Sequence, residues 1–144
     1  MAKGRFARIN LDGKSVSKTK LTTAVATAPG QLLALNTSGL FAGYAIAGKR
    51  DALLYVAHPL EHEGLQSADA IPASSTVVGE LAENGRELAV LVAATSALKE
   101  DTALTPDTAG RLKVAVVGTD AIVAYSQETY TVGAAPELVK VRFA

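Results

Sequence analysis

The amino-acid sequence predicts an all-β protein, a small β-sandwich or barrel built from two related β units and carrying an extended N-terminal arm. Short runs rich in Val, Leu, Ile and Tyr recur at a spacing of about ten residues, as in sandwiches and barrels. Clusters of turn-forming residues separate these runs. Hydrophobic residues make up 49% of the 144-residue chain, yet the chain has only four Tyr and three Phe. We therefore expect a core of aliphatic and alanine side chains.

Nine strands are predicted, and the turn residues between them follow a recognisable chemistry. The predicted strands are 31–35, 40–45, 53–57, 76–82, 87–93, 103–105, 111–116, 121–125 and 137–143. Asn84-Gly85 separates two of these runs and is the dipeptide typical of a type I′ hairpin turn. Residues 96–101 are the only segment predicted to form a turn or two of helix. Residues 60–75 form the one long connection, where a β protein often places a binding surface.

The closing strand alternates in polarity. In the sequence ELVKVRF, Val139, Val141 and Phe143 face one way, while Lys140 and Arg142 face the other. This alternation predicts a half-buried strand near the edge of a sheet. Lys140, Arg142 and Phe143 are accordingly the candidate residues of an interface strand.

Three pairs of segments echo each other in the same order along the chain. They are 33–41 with 103–112, 48–54 with 118–123, and 87–93 with 137–143. In the first pair, Asn or Asp, then Thr, a small residue and Gly stand between two apolar runs. The echoes predict a weak internal repeat at about residues 30–95 and 96–144. Convergent turn chemistry is the alternative explanation.

The N-terminal segment is strongly basic although the chain as a whole is neutral. The first 20 residues carry a net charge of +5 from six cations and Asp12; the cations are Lys3, Arg5, Arg8, Lys14, Lys18 and Lys20. We predict a basic arm over residues 1–21, which becomes ordered on an acidic partner, followed by a β-rich body over 22–144. A frayed, solvated terminus is the alternative for the first ten residues. Nucleic acid is not an expected partner, because only Phe6 could stack on bases there.

The sequence His58-Pro59-Leu60-Glu61-His62 has the spacing of the inverted zinc-protease motif. That motif needs a helix to place both histidines on one face, but Pro59 disfavours helix and Gly64 would end one within a turn. The chain has no other histidine and no cysteine to complete a metal site. We therefore interpret the match as a polar loop and expect no metal.

No other motif indicates catalysis or membrane insertion. No serine stands in a G-x-S-x-G elbow, and no glycine-rich loop fits a phosphate-binding pattern. No apolar run approaches the ~20 residues that span a bilayer. The sequence therefore predicts neither an enzyme, nor a cofactor, nor a membrane partner.

Four stretches of the chain together resemble the small capsid decoration, or cement, proteins of tailed bacteriophages. They are APGQLLALNTSGLF (28–41), ALKEDTALTPDTAGRL (97–112), DAIVAYSQET (120–129) and the closing ELVKVRF. The resemblance covers roughly residues 22–143. It implies a non-catalytic β-rich body on the outer capsid surface of a virion, made in the host cytoplasm, which binds and bridges major capsid proteins. It also implies self-association, with a homotrimer favoured and a dimer as the alternative.

The basic arm departs from the short members of that family, so its six cations are the candidate capsid-binding residues. A second interpretation is a β-rich phage adhesin or fibre-like module that contacts a host surface through residues 60–75. Glycan-binding sites usually expose aromatic side chains, and this connection contains none. That absence counts against the second interpretation.

Overall fold

Twelve β-strands and one short 3-10 helix make up the computed structural model, which describes residues 5–14 and 16–144. The strands are β1 (Ser17–Leu21), β2 (Leu32–Leu35), β3 (Phe41–Gly43), β4 (Tyr55–Ala57), β5 (Thr76–Leu81), β6 (Glu87–Val92), β7 (Ala97–Leu98), β8 (Ala103–Pro106), β9 (Leu112–Val114), β10 (Ala124–Ser126), β11 (Tyr130–Thr131) and β12 (Glu137–Phe143). The 3-10 helix spans Glu61–Glu63. The all-β class is therefore confirmed.

All nine predicted strands are present, and three further strands were not predicted. The unpredicted strands are β1, β7 and β11. The helix predicted at residues 96–101 is wrong, because these residues contain β7, which pairs with β11 in a two-stranded sheet. The alanine and leucine of this short strand carry no periodicity that distinguishes strand from helix.

The strands form two units that share one strand order. In the first unit, neighbouring strands lie in the order β1-β5-β4-β2-β3. In the second unit the corresponding order is β6-β12-β10-β8-β9, and β9 lies beside β6, so this unit closes into a barrel. A parallel pairing of Val92 with Leu112 closes the second unit. The first unit has a matching parallel bridge between Thr22 and Phe41. The correspondence divides the chain between β5 and β6.

Two hairpins show how the repeated turn chemistry gives the repeated structure. The β2–β3 hairpin and the β8–β9 hairpin are both antiparallel. Asn36 N–H donates to Leu40 O at 2.9 Å, and Asp107 N–H donates to Arg111 O at 2.7 Å. The first sequence echo therefore marks equivalent hairpins. The second falls in the equivalent connections, which lead to β4 and β10. The third echo is wrong, because it matches β6 with β12, which are neighbours in one barrel.

The Asn84-Gly85 turn connects the two units instead of forming a hairpin. Gly85 has a φ of 90°, whereas Asn84 is not among the described residues with positive φ. Type I′ geometry needs positive φ at both positions, so that prediction is wrong, and the turn follows the type II pattern. β5 and β6 on its two sides lie in different sheets.

The two units pack on each other through β2 and β4. Leu33 and Tyr55 point into the interior of the first unit, where Phe41 and Ile71 lie. The alternate residues of the same strands, such as Leu32, join a larger core that continues into the second unit. Because both faces are covered, these strands are apolar along most of their length.

Candidate binding surfaces

The N-terminal segment crosses the second unit before it becomes β1 of the first. Arg5 donates to both carboxylate oxygens of Glu128, at 3.1 and 2.6 Å, and to Leu138 O at 3.0 Å. Its guanidinium also stacks 3.5 Å from the centre of the Tyr130 ring. Ile9 is fully buried in the larger core. The segment therefore lies against the body from Arg5 onward.

A buried arginine ties this segment to both units. The Arg86 side chain has no exposed surface, and its Nε and Nη2 bind Asp12 Oδ2 and Glu80 Oε2, each at 2.9 Å. Its Nη1 donates to Leu81 O at 3.0 Å and to Val16 O at 3.3 Å. Since Asp12 and Val16 precede β1, Arg86 fastens the N-terminal segment at the junction of the two units.

The carboxylate of Asp12 is held in its charged form. Burial alone would raise its pKa, but the hydrogen bonds from Arg86, Lys14 N–H and Glu87 N–H together lower the pKa below its usual value of 3.8. Glu128 behaves in the same way, because its bonds from Arg5 and Lys140 N–H outweigh burial and lower its pKa. These two carboxylates hold the segment by charge-assisted hydrogen bonds.

The six candidate cations occupy different environments. Lys3 lies outside the described residues. Arg5 binds Glu128, and Lys18 Nζ lies 5.7 Å from the centre of the Tyr55 ring. The other three are exposed and, among the described residues, have no carboxylate within ion-pair distance; they are Arg8, Lys14 and Lys20. Those three are the cations most available to an acidic partner.

The closing strand β12 does not lie at an edge, contrary to its alternating pattern. It pairs with β6 on one side and with β10 on the other inside the closed barrel. Phe143 points into the core with 1% exposure. Lys140 and Arg142 point outward, and both form ion pairs with Glu87. Only these two cations of the candidate interface strand are at the surface.

The 60–75 connection borders a groove of about 460 Å³ against β6 and β12. Ala68 and Ala70 form one wall, Leu91 and Leu138 form part of the other, and Arg5 lies at its side. The lining is mainly apolar and contains no aromatic side chain. The groove therefore lacks the stacking surface that glycan recognition usually requires.

The two histidines lie in the polar loop that follows β4. His58 Nε2 lies 2.8 Å from Glu80 Oε1, so this ring belongs to the cluster around Arg86. His62 belongs to the 3-10 helix, which ends at Gly64 with a φ of 76°. Within residues 5–14 and 16–144, no group of three or more His, Cys, Asp or Glu side chains could hold a metal ion.

Two equivalent loops meet and expose apolar side chains. Val116 and Val117 follow β9, and Val117 is 76% exposed. Asp120 holds this loop, because its carboxylate accepts a hydrogen bond from Val116 N–H at 2.8 Å. Ala121 N–H donates to Gly48 O at 2.9 Å, so the loop adjoins the one that exposes Ile46. Together they offer an apolar contact surface.

Comparison with known proteins gives no relative on which function could rest. No family model matches the chain, and no curated protein matches it. Among the described residues, no helix is long and apolar enough to cross a bilayer. The interpretation of function therefore depends on the residues and their geometry.

Sequence reasoning missed the Arg86 cluster. Asp12 is 74 residues from Arg86 in the chain, and Glu80 belongs to the exposed-looking alternation of β5, where charged residues are usually solvated. The one local signal was Arg86 directly before the apolar run of β6. A charge at that position predicts neither burial nor its partners, since Asp12 and Glu80 come from other elements.

Proposed function

We propose that this protein is a capsid decoration protein, which binds the outer surface of a tailed-phage head and bridges neighbouring major capsid subunits. The observation that best supports the proposal is the β body itself, whose two units are held together by buried contacts. A protein that cross-links subunits must transmit force between its contacts without deforming. The buried Arg86 cluster and the buried Ile9 fasten the two units and the N-terminal segment together.

The described surface offers groups suited to such a contact. The loops that expose Val117 and Ile46 supply apolar area, and the N-terminal segment supplies exposed cations, such as Arg8 and Lys14, that have no ion-pair partner among the described residues. Apolar side chains contribute binding free energy, and cations give orientation and rapid association with an acidic surface. Because many copies bind one shell, each contact can be weak and still stabilise the whole head.

Co-sedimentation with empty phage heads tests the proposal. The purified protein is mixed with heads that lack a decoration protein, and the copies bound per head are counted after pelleting. We expect saturation at a fixed ratio to the major capsid protein, together with greater resistance of the heads to heat. Absence of binding at every concentration would favour the adhesin interpretation instead.

A matched pair of variants locates the contact. Val117→Asp places a charge in the exposed apolar loop and is expected to reduce binding to heads. Val25→Asp places the same charge at a valine that is 69% exposed on another loop, and is expected to leave binding unchanged. Equal binding by both variants would remove the valine loop from the proposed interface.

A further inference from the structure

The side of β6 that faces away from β12 is covered by other segments of the same chain. Leu11 N–H donates to Glu87 O at 3.2 Å, and Ala89 N–H donates to Ile9 O at 2.8 Å. Further along, Leu91 N–H donates to Gly30 O. The Glu87 carbonyl and the Ala89 and Leu91 N–H groups, which point away from β12, are therefore paired. The N-terminal segment acts as an additional antiparallel strand opposite Leu88.

β1 is the counterpart of β6 in the first unit. Each of these strands is antiparallel to the last strand of its own unit. Each also ends in the matching parallel contact: Thr23 N–H donates to Phe41 O at 3.1 Å, and Ala93 N–H donates to Leu112 O at 2.8 Å. The equivalent positions are Ser17 with Glu87, Lys18 with Leu88, Thr19 with Ala89, and Leu21 with Leu91.

Among residues 5–14 and 16–144, no segment covers the equivalent edge of β1. Leu81 N–H donates to Val16 O, and Thr22 N–H donates to Ser75 O, so the even-numbered residues of β1 direct their backbone groups toward β5. Because antiparallel pairing alternates, the odd-numbered residues point away. Within the described part of the chain, the Thr19 N–H and the Ser17 carbonyl have no backbone partner.

The side chains around this edge differ between its two faces. Lys18 and Lys20 lie on one face, opposite Gly79 and Val77 of β5, and neither has a described carboxylate within ion-pair distance. On the other face Leu21 and Val78 are exposed. A strand added here would therefore meet cations on one side and apolar groups on the other.

We propose that β1 binds an extended segment of another protein by strand addition. The segment pairs antiparallel with β1, as residues around Asn10 pair with β6, and places acidic side chains over Lys18 and Lys20. Its alternate side chains are apolar and cover Leu21 and Val78. Backbone hydrogen bonds supply the affinity of such a complex, and the alternation of side chains supplies the specificity. This inference goes beyond the head-binding proposal and needs no capsid to be tested.

Amide hydrogen exchange, read by NMR, tests the proposal with a synthetic peptide of alternating glutamate and valine. We expect exchange at the Thr19 and Leu21 amides to slow by about tenfold or more at saturating peptide, because these groups become hydrogen-bonded. The amides of Ala89 and Leu91 are already bonded and should not change. A peptide with serine in place of glutamate should bind more weakly.

A pair of substitutions isolates the backbone contribution. Thr19→Pro removes the outward N–H at an edge position where proline is tolerated, and should weaken peptide binding about tenfold. Thr19→Ala keeps that N–H and should bind as the native chain does. Equal binding by the two variants would overturn the proposal, as would protection at amides outside β1.

Two further outcomes would also overturn it. Dimerisation that rises with protein concentration and is lost in Thr19→Pro would assign the edge to a second copy of the chain. Absence of any exchange change would mean that Lys18 and Lys20 serve only to keep the edge unpaired, a common role of lysine on edge strands.

Discussion

Arg86 carries a buried charge whose three nitrogens are all hydrogen-bonded. Nε and Nη2 bind carboxylates, and Nη1 binds backbone carbonyls. Burying such a charge is costly, and removing one partner of a buried pair costs more than the pair contributes, because the remaining charge is left uncompensated. Loss of any one member of the cluster should therefore be strongly destabilising.

Arg86→Met should lower the free energy of unfolding by about 3 kcal/mol or more, because it leaves the carboxylates of Asp12 and Glu80 without their cationic partner at the junction. Arg111→Met is the matched control, since the Arg111 side chain is about one-third exposed and, within the described part of the chain, pairs with Asp107 alone. That change should cost less than about 1 kcal/mol. Urea unfolding measures both, and similar losses for the two variants would show that the junction does not depend on Arg86.

Acid should weaken the fold through Asp12. Its pKa in the folded state lies below the usual 3.8, so the charged form favours folding. This contribution is complete above the unfolded pKa and is lost as pH falls through the lower, folded value. Asp12→Asn should therefore be less stable than the native chain at neutral pH, and the difference should shrink below about pH 4. Urea unfolding across this range measures it; a constant difference would contradict the assignment.

At the scale of elements, the loop before β2 brings the two units together at Gly30. Its N–H donates to Ala57 O in the first unit, and its carbonyl accepts from Leu91 N–H in the second. Gly30 has a φ of 83°, and a Cβ there would lie 2.2 Å from Leu138 Cδ2. Both the backbone conformation and the close packing require glycine.

Gly30→Ala should destabilise the protein more than Gly39→Ala. Both residues have positive φ, which costs an alanine about 1–2 kcal/mol, but a Cβ at Gly39 meets nothing within 4 Å. The clash with buried Leu138 should add about 1–3 kcal/mol at Gly30. Thermal unfolding compares the variants, and equal losses would mean that Leu138 moves aside freely.

The sequence predicted strands where burial imposes a pattern and failed where it does not. β12 was predicted with its observed bounds because one face of ELVKVRF is buried. β1 was missed because all five of its residues are exposed, so no apolar period marks it. The Asn84-Gly85 turn was recognised, but a turn dipeptide does not say whether its flanking strands pair. Edge position likewise depends on tertiary pairing, which placed β12 inside a barrel.

At the scale of the whole molecule, the repeated turn chemistry of the sequence predicts two related units. The hairpins at Asn36 and Asp107 repeat because each needs the same short polar residue and a following glycine. The echo between 87–93 and 137–143 rests only on the apolar alternation that β6 and β12 share, and for that reason β6 was matched with its own barrel neighbour. The strands and hairpins of the barrel are therefore predictable from local signals, but the pairing that closes it is not.

Charge on the N-terminal segment should control binding to heads without affecting folding. Arg8→Glu with Lys14→Glu reverses two exposed cations that precede β1 and is expected to lower occupancy of heads. Lys49→Glu with Lys99→Glu reverses two exposed cations elsewhere and should leave occupancy unchanged. Co-sedimentation at low salt measures both, and circular dichroism verifies the fold. Deletion of the segment is less informative, because it would remove the buried Ile9.

Equal occupancy for both charge-reversal pairs would contradict a role of the segment in head binding. A loss of occupancy with the control pair alone would instead place the contact on the loops that carry Lys49 and Lys99.

We have proposed that the two-unit body bridges subunits on the outside of a phage head. A cryo-electron reconstruction of heads saturated with the protein tests it most directly. We expect density for both β units above the shell at symmetry-equivalent positions, with each copy touching at least two major capsid subunits. Density confined to a single subunit per copy, or none on the shell, would contradict it.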